Sequence, residues 1–236
     1  GFVLASRLSR YYRYRDLLTN ETGYLISFCK YASKISDKFG KKITDLVDGY
    51  LLETFLYEVY EYHGKTEPHF YNLIDGIKDP GDFDSKQESV LGQMRTMINE
   101  ILKDREELYL LGKDKLTFWL KVTLEILAGV ILYTLFLSRV QTSYSFVLTV
   151  LLSGSVVIVL ALIRDLDKLR SYDDSISYDL YYRVFDAIGR PRLYTNESLS
   201  RGVTPPKGYA YRFAEIVRKG DAVRYKKMTL MGPKRK

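Results

Sequence analysis

Cysteine, histidine and tryptophan are almost missing. The 236 residues contain one cysteine, two histidines and one tryptophan. A single Cys29 excludes an intrachain disulfide, and no Cys/His cluster has zinc-binding spacing. Walker loops, G-x-S-x-G elbows, H-E-x-x-H helices and dinucleotide fingerprints are absent too. With so few nucleophiles and bases, the usual catalytic constellations are hard to assemble. The expectation is no enzyme, no catalytic residue, no resident metal and no cofactor. Alternating strand patterns are scarce, which predicts an all-α fold.

Long apolar runs are present, although the mean hydropathy of −0.17 hides them. Residues 144–163 read YSFVLTVLLSGSVVIVLALI, with no charge. Twenty residues at a helical rise span roughly 30 Å, the thickness of a hydrocarbon core. Residues 116–137 read LTFWLKVTLEILAGVILYTLFL, nearly as apolar but carrying Lys121 and Glu125. The short link at 138–143 makes the two helices antiparallel neighbours. The chain is expected to be an integral membrane protein, with a transmembrane helical hairpin at 116–163. A buried hairpin in a large soluble core is the competing reading.

Flanking charge predicts sidedness. Lys103, Arg105, Lys113 and Lys115 precede the first span, Arg164, Lys168 and Arg170 follow the second, and the turn has only Arg139. Both flanks are therefore expected on the cytoplasmic side, or its matrix or stromal equivalent. The opening GFVLAS, residues 1–6, followed by Arg7, Arg10, Arg13 and Arg15, reads as the end of a further membrane helix or as a processed start.

Residues 7–115 read as an inner-side helical domain. Three apolar stripes recur at helical spacing: Leu25, Phe28, Cys29, Ala32, Ile35 and Phe39; Ile43, Leu46, Val47, Tyr50, Leu51, Phe55 and Val59; Leu91, Met94, Ile98, Ile101, Leu102 and Leu108. Gly40 and HGKTEP are read as the breaks, and Ser85 with Glu88 as a capping box. Residues 164–194 are expected to hold one short helix, from Ile176 to Ile188. Residues 195–236 are expected to form a basic extended tail, with at most one short helix near 211–217. That tail has eleven Lys/Arg against three Asp/Glu, a net +8, so the rest of the chain sums to −1.

Lys121 and Glu125 lie one helical turn apart. Charges at membrane depth normally face a bundle interior, a partner or water. They form, with Ser153 and Ser155, a candidate intramembrane polar site. The plainer reading has Lys121 snorkelling to the interface and Glu125 pairing with it. Ala128, Gly129, Ser153, Gly154 and Ser155 are small enough for close helix packing. Trp119, Arg164, Lys168 and Arg170 are candidate lipid-interface residues. Tyr109, Tyr133, Tyr144, Tyr172, Tyr178, Tyr181 and Tyr182 suit a headgroup zone. DPGDFD at 79–84 matches no calcium loop, and His63 and His69 have no ligand spacing. The triplets at Asn20 and Asn196 fall on the expected cytoplasmic side and are expected to stay unglycosylated.

The layout resembles the bestrophin-like domain family. The matching pieces are RLSRYYRYRDLLTNETGYLISF, YLLETFLYEVYEY, MRTMINEILKDREELYLLGKDKLTFW and ALIRDLDKL, from Arg7 to Arg170. The family usually has a proline after the DLD element, where this sequence has Lys168 and Leu169. The resemblance implies an oligomeric all-α membrane protein and, by analogy with bestrophins proper, an anion channel or transporter subunit. No pore-constriction or calcium-binding residue of bestrophins maps onto this sequence. The alternative is a non-catalytic accessory subunit of a large, energy-transducing membrane complex. Expected partners are the lipid bilayer, further copies or other membrane subunits, and anionic lipid or an acidic subunit for the tail. Nucleic acid is not an expected partner, although Tyr209, Tyr211, Phe213 and Tyr225 interleave with basic residues.

Overall fold

The structure is a computed structural model. It describes residues 2–57, 64–78, 84–140, 142–168, 170–200, 202–205, 208–219 and 222–232, without the side chains of 168, 170–177, 219 and 222. Seven long helices come first: α1 (Phe2–Ile35), α2 (Asp37–Thr54), α3 (Glu67–Lys78), α4 (Ser85–Lys113), α5 (Phe118–Leu137), α6 (Ser143–Lys168) and α7 (Arg170–Ala187). A short strand β1 (Leu193–Thr195), a one-turn helix α8 (Asn196–Ser200) and strands β2 (Tyr211–Lys219) and β3 (Ala222–Met231) complete it. The chain divides into two compact units, one of residues 1–13 and 114–172, the other of 14–113 and 173–236.

In the first unit, α5 and α6 form the expected hairpin. Both are long and apolar enough to cross a membrane, and only 6% and 11% of their apolar windows are buried. A core helix of a soluble domain would be mostly buried, so the exposure argues against the soluble-core reading. The turn is closed by polar side chains. Ser145 Oγ accepts from the Val140 N–H at 3.1 Å, Thr142 Oγ1 accepts from the Ser145 N–H at 3.2 Å, and Arg139 lies over the Phe146 ring. Of the small residues, Ala128 is buried at 5% exposure, whereas the two glycines are not in close packing within the hairpin. A Cβ added at Gly129 or Gly154 would meet nothing within 4 Å.

The second unit has a helical core of Leu17, Leu18, Leu25, Phe28, Ile43, Val47, Tyr50, Leu51, Phe70, Leu91, Met94 and Leu108, all at or below 1% exposure. The expected stripes supply most of it. Leu102 is corrected: it is 40% exposed. Gly40 is not a break. The chain breaks at Ser36, whose side chain accepts from the Phe39 N–H, and Gly40 lies inside α2. Its missing side chain matters because a Cβ there would sit 2.8 Å from Ser33 Cα. The cap of α4 also lies one residue earlier than expected. Asp84 Oδ1 accepts from the Lys86 and Gln87 N–H groups, and Gln87 Oε1 accepts from the Asp84 N–H. This is a D-x-x-Q box with the same reciprocal logic as the Ser/Glu form.

Deep in this core sits a polar chain. Glu21 and Arg105 are 0% and 1% exposed, with Tyr50 between them. Arg105 donates to the Tyr50 hydroxyl, which donates to Glu21. Arg105 also donates to Thr66 Oγ1 at 3.2 Å and stacks 4.6 Å from the Phe70 centroid. Burial pushes the Tyr50 hydroxyl well above its ordinary range, so it stays a donor.

The all-α expectation is corrected by a three-stranded sheet, ordered β1-β2-β3, with β1 parallel and β3 antiparallel to β2. The segment 211–217, expected as a helix, is strand, and the basic stretch is not an extended tail. YRFAEIVRK and AVRYKKMTL each place large apolar or β-branched residues at alternate positions, and a Gly-Asp pair separates them. That is a hairpin signal. One bulge shifts the register between Glu215 and Ile216. The sheet is tied to α2. Arg212 makes a bidentate pair with Asp48 at 2.7 and 2.8 Å, Tyr225 donates to the Leu52 carbonyl, and Arg190 pairs with Asp45. Asn196 clamps β2, its Oδ1 accepting from the Ile216 N–H.

Tyrosines serve this unit as well as any interface. Phe55 stacks on Tyr178 and Tyr182, Tyr182 packs on Tyr194, and Tyr194 on Tyr211. Tyr181 and Tyr182, expected in a headgroup zone, are core residues at 3% and 5% exposure. Tyr133 and Tyr144 are 65% and 78% exposed on the apolar helices.

Two outcomes test this core. Arg105→Met should lower the unfolding free energy by about 3–5 kcal/mol, because it strands the Glu21 carboxylate away from water. The double variant with Glu21→Gln should recover part of that loss in denaturant titrations. Burial raises the Cys29 thiol to about 12, outweighing a hydrogen bond from Thr44. The neutral thiol therefore persists through alkaline pH. Cys29 should react with a maleimide only as fast as the chain unfolds, and labelling followed by mass measurement checks this.

Candidate functional site

The charges of the first unit gather where its helices meet, at the end of the hairpin away from the turn. Helix α1 brings Arg7 and Arg10, three residues apart and so on one face. Asp114 precedes α5, Lys121 and Glu125 lie on its first turns, and Arg164 and Asp167 lie on the last turns of α6.

Asp167 is the centre. Its side chain is 2% exposed. Its Oδ1 accepts from the Leu116 N–H at 2.6 Å and lies 3.7 Å from Arg7, while its Oδ2 lies 2.8 Å from Lys121 Nζ. The start of α5 explains the need. Thr117 occupies the N-cap position without a side-chain cap hydrogen bond. The Asp167 carboxylate lies beside this positive dipole end and accepts from the Leu116 N–H, one residue before the N-cap. Arg7 donates to the Asp114 carbonyl at 2.8 Å and approaches its carboxylate at 3.4 Å, and Arg10 Nη1 donates to the Asp167 carbonyl at 3.3 Å.

One turn further along α5, the pairing repeats with reversed sign. Glu125 Oε1 lies 2.6 Å from Arg164 Nη2. The two rungs, Lys121–Asp167 and Glu125–Arg164, both cross from α5 to α6. They line a cleft of about 200 Å³ whose other walls are Leu116, Leu124, Leu160 and Ile163. The Glu125, Arg164 and Lys121 side chains remain 51%, 63% and 42% exposed.

Lys121 and Glu125 both line this cleft, but not with the expected bonding. Lys121 and Glu125 reach across the hairpin rather than to each other. Arg164, expected at the lipid interface, belongs to this cleft. Ser153 and Ser155 do not line it. Ser155 Oγ donates back to the Leu151 carbonyl, and Ser153 is half-buried elsewhere on α6. Trp119 is 76% exposed and packs edge-on against Phe118. The Lys168 and Arg170 side chains lie outside the described residues, as do 79–83 of the DPGDFD turn and His63. His69 lies 3.9 Å from Glu53. Among the described residues no three acidic, histidine or cysteine side chains gather as a metal site. Sequence reasoning missed Arg7 and Arg10 as partners of Asp167, and Asp114 as a second acid on the same arginines. The available signal was the three-residue spacing of the arginines and an acid placed just past an uncharged run.

Asp167→Asn should destabilise the chain by about 3 kcal/mol, since an amide keeps the Leu116 contact yet takes the carboxylate away from Lys121 and leaves Arg7 with Asp114 alone. Thermal unfolding in detergent reads the loss, and Lys121→Met added to it should restore part.

Comparison with curated proteins and with solved structures gives no match. A family profile described as the Bestrophin-like domain matches residues 1–169, ending at the close of α6 and leaving α7 and the sheet outside it. With most of its length matched and two apolar helices long enough to span a bilayer, this chain belongs to the bestrophin-like domain family.

Proposed function

We propose that this chain is one subunit of an oligomeric membrane channel that passes small anions. The observation that carries the reading is the half-exposed Glu125–Arg164 rung. Glu125 lies two turns into α5, about 10 Å along its axis. An ion pair open to hydrocarbon at that depth is costly, so this face of the hairpin meets water or another copy of the chain. A single hairpin encloses nothing, and further spans or copies are required. The four cations and three carboxylates of the cluster leave one positive charge in excess, which favours anions over cations.

Family membership supports a membrane protein, and analogy with bestrophins proper supports the anion. The hairpin flanks lie on the cytoplasmic, matrix or stromal side in this reading. Arg105 is buried and drops out of the flank count, yet Lys103, Lys113 and Lys115 still outnumber the turn's Arg139. The function is non-catalytic.

One observation favours a second reading, an accessory subunit of a larger complex. The sheet lies outside the family match and exposes basic residues such as Arg224, Lys226 and Lys227 along β3, a surface suited to an acidic neighbour or anionic headgroups.

Purified protein reconstituted in liposomes should pass chloride above the rate of empty vesicles, and native mass measurement should show a homo-oligomer. Absence of flux from a correctly inserted oligomer overturns the channel reading. Co-purification of a stoichiometric acidic subunit supports the second.

A further inference from the structure

The two rungs of the cleft differ in how firmly their carboxylates are held. Asp167 is buried and engaged by the Leu116 N–H, Lys121 and Arg7 together. It cannot leave without breaking the start of α5. Glu125 is half-exposed and is held by Arg164 at 2.6 Å. Of the two acids lining the cleft, only Glu125 can swing away while the helices stay in place.

What it would leave behind is a built cationic seat. Arg164 and Lys121 face one cleft from opposite helices, both more than 40% exposed, with Leu116, Leu124, Leu160 and Ile163 as apolar walls. A cavity of about 200 Å³ has room for a halide or nitrate with some water, and none for a nucleotide. Guanidinium and ammonium groups against apolar walls suit weakly hydrated monovalent anions, which lose little on partial dehydration.

We infer that Arg164 and Lys121 form a binding site for a small monovalent anion, and that the Glu125 carboxylate is its tethered competitor. The inference rests on the reading that this face of the hairpin meets water. The charged groups facing Glu125 are Arg164 and Asp167 from α6, Lys121 from its own helix, and Arg7 and Arg10 beyond Asp167 from α1, with Asp114 at the far side. Removing the Glu125 charge frees Arg164 and raises the cluster from one excess positive charge to two, so anion binding strengthens. With the carboxylate in place, Arg164 is occupied and the site is largely closed.

The test is bromide titration of the full-length protein in detergent at neutral pH, read as bromide-dependent thermal stabilisation. Glu125→Gln should bind bromide roughly threefold or more tightly than wild type. Adding Arg164→Gln to it should abolish that gain. Equal affinity for wild type and Glu125→Gln, or a gain that survives Arg164→Gln, overturns the inference. If Glu125→Gln does not fold, Glu125→Ala takes its place under the same two outcomes. Chloride flux in liposomes is measured in parallel. Binding gained without flux keeps the site and removes the channel, whereas flux unaltered by Glu125→Gln, with bromide affinity also unaltered, keeps the channel and removes the site.

Discussion

An apolar medium will not tolerate a lone charge, and the first unit is arranged around that constraint. Asp167 sits at the end of a helix whose preceding twenty-odd residues are almost uncharged. It is stable there because three donors converge on it, and each donor has its own reason to need it. The Leu116 N–H lies at an uncapped helix start, Lys121 sits one turn inside an apolar helix, and Arg7 is 9% exposed on α1. Removing the acid would take this partner from all three at once, leaving Arg7 with Asp114 alone. The same rule explains why Glu125 and Arg164 find each other across the hairpin.

The helical unit obeys the rule in a different setting. Its core is mostly aliphatic, yet Glu21 and Arg105 lie inside it with a tyrosine hydroxyl as go-between. Tyr50 both accepts from the guanidinium and donates to the carboxylate, joining opposite charges that lie 3.9 Å apart. Phe70 covers the guanidinium face, which burial would otherwise leave against aliphatic carbon. Fixed geometry of this kind ties α1, α2 and α4 to one arrangement more tightly than leucines alone do.

Much of this was legible in the sequence. The hairpin followed from two long apolar runs and a short link, and the stripes at Leu25, Ile43 and Leu91 named most of the helical core. Lys121 and Glu125 stood out because charge in such a run is rare. Their partners did not, because α1 and the end of α6 are far away in sequence, and a four-residue spacing favours pairing within a helix. Gly40 misled since a glycine reads as a break when its purpose is a close approach to Ser33. The strands at 211–231 were hidden by net charge. Arg212, Arg218, Arg224, Lys226 and Lys227 made the segment look like a solvated tail, although Phe213, Ile216, Val223 and Tyr225 carry strand-forming side chains between them. Arg212 was counted as part of a basic surface, whereas it is a structural residue with Asp48 as its counterpart.

The opposite polarity of the two rungs has a consequence for how the hairpin finds its alignment. Leucine slides past leucine at little cost in lipid, so two apolar helices have no strong axial preference of their own. Sliding α6 by one turn one way would set Arg164 opposite Lys121, and one turn the other way would set Asp167 opposite Glu125. Both displaced rungs would lose attraction together, one of them becoming a clash of like charges. The ladder thus acts as a vernier that admits one sliding position, set during insertion and kept afterwards.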